Sequence, residues 1–193
     1  MRTYFWTLFL VSAGCSQTGR EAEGSSKGLE TTKPIWIYSD SVDKMREDRY
    51  FYADLRSNNY PELNDPYGGG SPLTLHISKL QGDTFPDNYA PRLIISNGQF
   101  DCSSEGRARS CMITAKADNR DPIELHAVET DCGSAKCLVL NNDPYGPLSG
   151  KSLIPILRSA QRFVIEAPLY RFGNYQYEFN TAGLDWSEGT NRR

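Results

Sequence analysis

Clusters of turn-forming residues recur at short intervals along the chain, and they limit each element between them to a few residues. The clusters are NDPYGGGSP at 64–72, SNG at 96–98, DNRDP at 118–122 and NNDPYGP at 141–147. Asp and Asn accept hydrogen bonds from nearby main-chain amides, Pro fixes φ and Gly permits a left-handed exit, so each cluster predicts a chain reversal. Reversals at this frequency favour short antiparallel strands.

The segments between these turns have the composition of strands. Leu73, Leu75 and Ile77 alternate with polar residues in the period of a half-buried strand, and other segments are rich in aromatic and β-branched residues. We predict strands at 35–39, 50–55, 73–78, 92–96, 111–117, 123–128, 137–140, 162–167 and 175–180. The candidate inward side chains of the last two strands are Phe163, Ile165, Tyr177 and Phe179.

One segment has helical spacing instead. Ser149 can cap a helix over 150–161, in which Pro155 sits early enough for its missing amide to be tolerated. The apolar stripe of this helix would face a sheet, and it consists of Leu153, Ile154, Leu157 and Ala160. We therefore predict a mainly β fold, an antiparallel β-sandwich or curled sheet with one packed α-helix. Large aromatics expected in the core or at its rim are Trp36, Phe100 and Trp186.

The cysteines indicate an oxidising compartment. Cys15 stands apart near the amino end, and the remaining four form an even set, Cys102, Cys111, Cys132 and Cys137. Three pairings are formally possible, and the short loops favour two disulfides, Cys102–Cys111 and Cys132–Cys137. A four-cysteine zinc site is the alternative, although only CGSAKC at 132–137 approaches the ligand spacing of such sites.

The first residues predict export. An apolar run, Tyr4–Val11, follows Met1-Arg2; it has the length of a signal-peptide core and is too short to span a bilayer. The next residues, Ser12-Ala13-Gly14-Cys15, resemble the lipobox of bacterial lipoproteins, which implies that Cys15 carries the lipid. Ser12 departs from the usual aliphatic residue, and an ordinary secretory signal is the alternative. Ser16, rather than Asp, after the cysteine favours sorting to the outer membrane.

These features divide the chain into four parts. We predict a signal peptide at 1–14, a lipidated flexible tether at 15–33, a β-rich domain at 34–187 and a frayed tail at 188–193. The tether sequence from Ser16 to Lys33 has almost no apolar residue and cannot bury enough surface to order itself. The formal net charge is −3 at pH 7 with both signs interspersed, which argues against a nucleic-acid partner.

Sequence landmarks run through nearly the whole domain. They are Trp36-x-Tyr38-x-x-Ser41-x-Asp43-x-Met45, Gly98-Gln99-Phe100-x-Cys102 with Cys111 following, the strand Phe163–Ala167, and Phe179-x-x-x-Gly183-Leu184-x-Trp186. This set resembles small, mostly uncharacterised proteobacterial envelope proteins and lipoproteins, often prophage- or secretion-linked, and more distantly accessory proteins of type VI secretion. The chain departs from that pattern at 115–118, where such relatives often have Arg-Phe-Asp, and in the additional CGSAKC segment. The resemblance implies a fold and a location, and it supplies no reaction.

Motifs of catalysis are absent from the sequence. It contains no G-x-S-x-G, H-E-x-x-H, G-x-x-x-x-G-K-[ST] or G-x-G-x-x-G. His76 and His126 fall at the polar phase of predicted strands, where we expect ordinary sheet-face residues rather than metal ligands or general bases. A carboxylate pair for glycan cleavage is defined only by its spatial separation. The carboxylates to inspect for such a pair are Asp65, Asp118, Asp143 and Glu166.

The turn sequence NDPYG occurs twice, at 64–68 and at 142–146. Turn chemistry alone explains Asn, Asp, Pro and Gly, but neither turn requires its tyrosine, Tyr67 or Tyr145. An exposed tyrosine combines apolar area with a polar tip at low entropic cost, as recognition surfaces do. The sequence therefore predicts four recognition residues, Tyr67, Tyr145, Asp65 and Asp143.

Together these observations predict an envelope-anchored lipoprotein on the periplasmic face of the outer membrane. We expect a non-catalytic protein-binding module with a protein partner in the envelope, no cofactor and no metal, in a toxin-neutralising, phage-exclusion or secretion-accessory role. The alternatives are a structural or cell-wall-associated envelope factor and a carboxylate-dependent hydrolase.

Overall fold

The computed structural model describes residues 36–81, 91–105, 108–132, 135–141 and 153–186. The predicted signal peptide at 1–14, the tether at 15–33 with Cys15, and the tail at 188–193 lie outside the described residues, so these three predictions stay predictions.

The described chain is mainly β. The strands are β1 (Ile37–Val42), β2 (Arg49–Arg56), β3 (Glu62–Leu63), β4 (Gly69–Gly70), β5 (Leu73–Leu80), β6 (Arg92–Ile95), β7 (Ser103–Glu105), β8 (Ala108–Ala117), β9 (Ile123–Cys132), β10 (Ala135–Asn141), β11 (Arg162–Leu169) and β12 (Gly173–Asn180). Helix α1 (Ile154–Ser159) precedes β11. Each predicted strand has a counterpart here, which confirms the predicted fold class. The short strands β3, β4 and β7 were not predicted.

One antiparallel sheet contains most of these strands. Among the described residues the sheet has ten strands, in the order β1-β2-β5-β6-β10-β9-β8-β11-β12 with β7 beside β8, while β3 and β4 form a separate hairpin. Most strands lie beside a strand that is next or nearly next to them in the sequence. An exception is β6, which pairs with β10, the last strand of the β8–β9–β10 meander. Short turns therefore account for most of the topology, as the turn clusters predict.

A single core lies on one face of this sheet. Alternate residues of every long strand except β1 are buried there, and the four predicted inward residues, Phe163, Ile165, Tyr177 and Phe179, are fully buried. The predicted helical stripe of Leu153, Ile154, Leu157 and Ala160 joins the same cluster. Because strands from both halves of the sheet contribute to one core, the sheet is curled around it.

Two asparagines join the far edge of the sheet to the chain that leaves β2. The Asn58 amide donates to the Glu178 carbonyl at 2.7 Å. The Asn59 side chain donates to the Gln176 carbonyl at 2.9 Å and accepts from the Glu178 amide at 2.7 Å. This side-chain amide binds β12 as the main chain of a neighbouring strand would, and the curled sheet is thereby closed beside β12.

The last described segment, 181–186, contacts the chain at the start of β1. The Trp36 indole donates to the Thr181 carbonyl at 3.2 Å, and the Asp185 amide donates to the Tyr38 hydroxyl at 2.8 Å. The Lys79 ammonium lies 5.0 Å from the Trp186 ring centroid. Trp36 and Trp186 are buried, as is Phe100 near the start of β7, which confirms their predicted places.

The predicted helix boundaries are wrong. We predicted 150–161 with Ser149 as the cap, but α1 spans Ile154–Ser159, its N-cap is Leu153 without a side-chain cap hydrogen bond, and Ala160 is already extended. Pro155 lies at the first turn of the observed helix. A helix that started at 150 would have placed Pro155 where its absent amide and its ring disrupt the main-chain ladder. Ser149 itself lies outside the described residues.

The two ends of the sheet carry different structural features, which we use to name them the disulfide end and the helix end. At the disulfide end β9 passes into β10, and both predicted disulfides are present there, Cys102–Cys111 with Cα atoms 4.8 Å apart and Cys132–Cys137 at 5.9 Å. At the helix end α1 leads into β11. The predicted pairing is confirmed, and it leaves none of these four sulfurs for the alternative zinc site.

Candidate functional site

The first NDPYG turn connects β3 and β4 at the disulfide end. The Tyr67 and Gly68 amides donate to the Asn64 carbonyl at 3.1 and 3.2 Å, and the Asp65–Pro66 peptide bond is cis. Asp65 is exposed, whereas Tyr67 is half-buried and packs against the core. Tyr67 therefore offers only part of its ring to a partner.

The second NDPYG copy, with Asp143 and Tyr145, lies outside the described residues. The strand that leads to it, β10, ends at Asn141, which is paired with His126 towards the helix end. The first copy is at the opposite end of the sheet. The candidate site is built around the first copy, which is the copy that the structure describes.

A second aromatic turn lies at the same end as Tyr67. It connects β11 to β12 through Tyr170, Arg171 and Phe172, and both rings are about two-fifths exposed, at 40% and 41%. Arg171 has φ of 61°, and its guanidinium lies 5.3 Å from the Tyr170 ring centroid. A cation over a ring face is a favourable contact, so this turn is stabilised from within.

Edge-to-face contacts connect the Phe172 ring to the core through Tyr175. Its ring centroid lies 6.0 Å from that of Tyr175, which lies 5.0 Å from that of the fully buried Tyr177. Aromatic pairs prefer this edge-to-face geometry, so these contacts favour one orientation of the Phe172 ring. Burial raises the pKa of Tyr177 above its ordinary value, so its hydroxyl stays protonated beneath the exposed rings.

One short loop connects the two aromatic turns. The Asn97 side chain donates to the carbonyls of Tyr67 and Gly68, each at 3.1 Å. Two residues later, the Gln99 carbonyl accepts from the Tyr170 amide at 2.9 Å. Gln99 of the motif Gly98-Gln99-Phe100-x-Cys102 thus has a structural role, since together with the preceding Asn97 it fixes both turns to one loop.

Gly98 makes that loop possible. Its φ is +94°, and a Cβ atom there would lie 2.7 Å from Leu63 Cδ1. Glycine alone satisfies both constraints at low cost. The loop can therefore lie directly over the β3–β4 hairpin.

Tyr60 adds a fourth ring to this end of the sheet. It is 46% exposed, and its ring lies so close over Gly70 that a Cβ there would be 2.6 Å from Tyr60 Cε2. We name the set Tyr60, Tyr67, Tyr170 and Phe172 the aromatic rim. Of this set only Tyr67 was predicted as a recognition residue. The other three lie at strand ends, in or beside turns, and an aromatic residue at such a position is the signal that the sequence carries.

The carboxylates considered for acid–base chemistry lie in separate places. Asp118 accepts from the Gln161 and Arg162 amides at 3.0 and 2.9 Å near the helix end. Glu166, in the middle of β11, accepts from the Asn174 and Gln176 side chains at 3.1 and 2.8 Å. Asp65 is at the disulfide end. The described structure therefore gives Asp118 and Glu166 structural partners and does not assemble a glycan-cleaving pair from these three.

His76 has a partner that the sequence did not reveal. Its Nδ1 lies 2.7 Å from Asp54 Oδ1 on the outer face of the sheet, and its ring centroid is 5.5 Å from that of Tyr52. The pairing depends on the register of β2 and β5, which places Asp54 opposite His76. His126 lies opposite Met112 on the same face. Both histidines are sheet-face residues, as predicted.

Within the described ranges, no three or more His, Cys, Asp and Glu side chains are grouped so that they could hold a metal ion. No helix in the described part of the chain could cross a membrane. No protein-family model, curated protein or solved structure matches the chain.

Proposed function

We propose that the protein is an envelope-anchored, non-catalytic protein-binding module and that the aromatic rim is its recognition surface. The observation that carries this proposal is the connection of two aromatic turns, one half-buried at Tyr67 and one exposed at Tyr170 and Phe172, through the single loop Asn97–Gln99. Tyrosine, phenylalanine and arginine are enriched where protein interfaces concentrate their binding energy, and rings that are already fixed lose little entropy on binding.

The composition of the rim favours a protein over a small molecule. Its rings come from the ends of hairpins and lie at the surface of the fold, whereas small-molecule sites are concave and enclose most of their ligand. Arg171 and the exposed Asp65 supply one charge of each sign beside the rings. A surface of this kind suits a partner with apolar anchors and a mixed-charge border.

Lipidation of Cys15 would hold this surface near the membrane. Residues 16–35 separate that cysteine from the first described residue. A flexible chain of this length has a root-mean-square span of about 25 Å, and several acyl chains make anchoring effectively permanent. The partner in this proposal is another envelope protein, which suits a toxin-neutralising, phage-exclusion or secretion-accessory role.

Site-specific photo-crosslinking tests the proposal in the full-length chain. A photoreactive phenylalanine analogue replaces Tyr170 at the rim or Met112 on the outer face of β8, which is also exposed, at 54%. We expect a discrete adduct with another envelope protein from position 170 and none from position 112. The double variant Tyr67→Ala, Phe172→Ala should reduce the yield of that adduct at least tenfold.

Two results would contradict the proposal. One is the absence of any protein adduct from position 170 while the protein co-sediments with cell-wall sacculi, which would favour the structural alternative. The other is an adduct of equal yield from positions 170 and 112, since that would mean contact without a preferred surface.

A further inference from the structure

The two edge strands of the curled sheet, β12 and β1, differ in how their outer main-chain groups are bonded. Asn58 and Asn59 occupy the outer edge of β12 with three hydrogen bonds. At the opposite edge, β1 pairs with β2 alone among the residues that the structure describes, and all six of its residues are exposed. Natural sheets shield their edges with prolines, charged side chains or bulges. The β1 sequence IYSDSV has no proline or lysine, and its one charged residue, Asp40, is paired with Arg49 of β2.

The main chain of Asp40 and Val42 is directed away from β2. The Asp43 amide donates to the Asp48 carbonyl, so this pair is hydrogen-bonded across the hairpin. Hydrogen-bonded and non-bonded pairs alternate along an antiparallel ladder. The register therefore makes Val42 and Arg49 a non-bonded pair, and likewise Asp40 and Phe51. The amide of Gln81, directly after β5, donates to the Arg49 carbonyl, which independently supports this assignment.

We propose that β1 pairs antiparallel with β1 of a second copy of this chain, with Ser41 opposite Ser41 on a twofold axis. In this register Asp40 lies opposite Val42 of the other copy, so the outward amides and carbonyls of both residues bind each other. This is the register in which the outward main-chain groups of Asp40 in one copy form hydrogen bonds with those of Val42 in the other.

Charge also favours this register. A shift by two residues would place Asp40 opposite Asp40 of the second copy, and like charges directly opposite each other destabilise a strand pair. With Ser41 on the axis, Asp40 keeps its ion pair with Arg49 at 2.8 Å, and Ser39 lies opposite Asp43. The Ser41 side chain lies on the outer face of the sheet, where its hydroxyl is 2.9 Å from that of Tyr52.

The pairing would also cover apolar surface that the single chain leaves in water. Ile37 is 61% exposed and Val42 is 53% exposed, and both belong to β1. Apolar side chains on an unprotected edge strand are typical of a segment that pairs with another chain. This inference does not depend on the aromatic rim, which lies at another part of the sheet.

Disulfide trapping tests the register. Directly opposed residues in a non-bonded antiparallel pair have Cα atoms about 4.5 Å apart, which is within disulfide range. We expect Ser41→Cys in the full-length chain, expressed with its own leader, to give a reducible dimer on oxidation of isolated membranes. The matched variant Ser39→Cys should stay monomeric, because its two copies would lie about 13 Å apart.

A proline substitution tests the edge itself. Val42→Pro removes one outward amide and leaves the β1–β2 hydrogen bonds in place, whereas Val42→Ala shortens the same side chain and keeps the amide. In the Ser41→Cys background, Val42→Pro should abolish the dimer and Val42→Ala should retain it. Sedimentation of the detergent-extracted chain without the added cysteine should show the same difference in mass.

Any of three results would overturn the proposal. These are a Ser41→Cys chain that stays monomeric, equal trapping of Ser39→Cys and Ser41→Cys, or adducts of Ser41→Cys with another envelope protein only. The last result would assign the edge to a different partner, and none of the three would affect the test of the aromatic rim.

Discussion

The Trp36 indole donates a hydrogen bond to the Thr181 carbonyl, 145 residues later in the chain. Trp36 precedes the first strand and Thr181 follows the last one, so this bond joins the two ends of the described domain. Trp36 is also buried, at 8% exposure, and contributes ring area to the core.

Replacement of Trp36 by Phe separates these two contributions. The variant keeps most of the apolar area and loses the bond, so we expect a loss of about 1 to 3 kcal/mol in the free energy of unfolding, since the Thr181 carbonyl is left without its donor. Urea denaturation measures this change. Met45→Ala, at a side chain that is 94% exposed, is the control and should leave stability unchanged.

Asn59 is the residue whose loss should open the sheet at β12. Asn59→Ala removes both of its side-chain bonds to that strand, and we expect a loss of about 1 to 3 kcal/mol. Asn59→Asp keeps the acceptor for the Glu178 amide, so its free energy of unfolding should lie between those of the wild type and Asn59→Ala. Hydrogen exchange at the Glu178 amide reports the effect locally, and unchanged protection in Asn59→Ala would refute the closing role.

Gly98→Ala should be more harmful than Gly173→Ala, although both glycines have positive φ, +94° and +87°. A Cβ at 173 meets no atom within 4 Å, whereas a Cβ at 98 meets Leu63. We expect about 1 kcal/mol from the backbone conformation at either site and a further 1 to 2 kcal/mol from the contact at 98. Thermal unfolding measures the difference, and Leu63→Ala in the Gly98→Ala background should remove the contact part of the cost.

The raised pKa of Tyr177 predicts that the free energy of unfolding falls at alkaline pH. Its pKa is raised in the folded protein, so the folded state retains this proton after the unfolded chain has released it. The contribution is therefore complete below the ordinary tyrosine pKa of about 10, and it is lost as pH rises above that value. Urea unfolding between pH 8 and 11 should show a steeper decline for the wild type than for Tyr177→Phe. Parallel curves would contradict the assignment.

Local chemistry was sufficient to predict most of the strands. The alternation of Leu73, Leu75 and Ile77, and the turn clusters on either side, act within a few residues, so they are visible in the sequence. The same is true of Cys102–Cys111, where a short loop limits the choice of partner. The helix start was missed because Ser149 looked like a cap, while Pro155 decides where the first turn lies.

Features that depend on long-range register could not be predicted. Asp54 meets His76 only because β2 and β5 align in one of several possible registers. Asn59 reads as a turn residue in sequence, yet its amide takes the place of a strand at β12. Of the aromatic rim, only Tyr67 was predicted as a recognition residue, since the loop that connects it to Tyr170 belongs to a distant part of the chain.

The bond between Trp36 and Thr181 has a mechanical consequence. Tension that reaches residue 36 from the amino end would, without it, peel β1 from β2 one pair at a time, which is the weakest direction for a hairpin. With the indole fixed to the chain after β12, part of the load passes to the opposite edge and through the buried ring into the core. The domain is thus built to resist pulling at the end where a tether would attach.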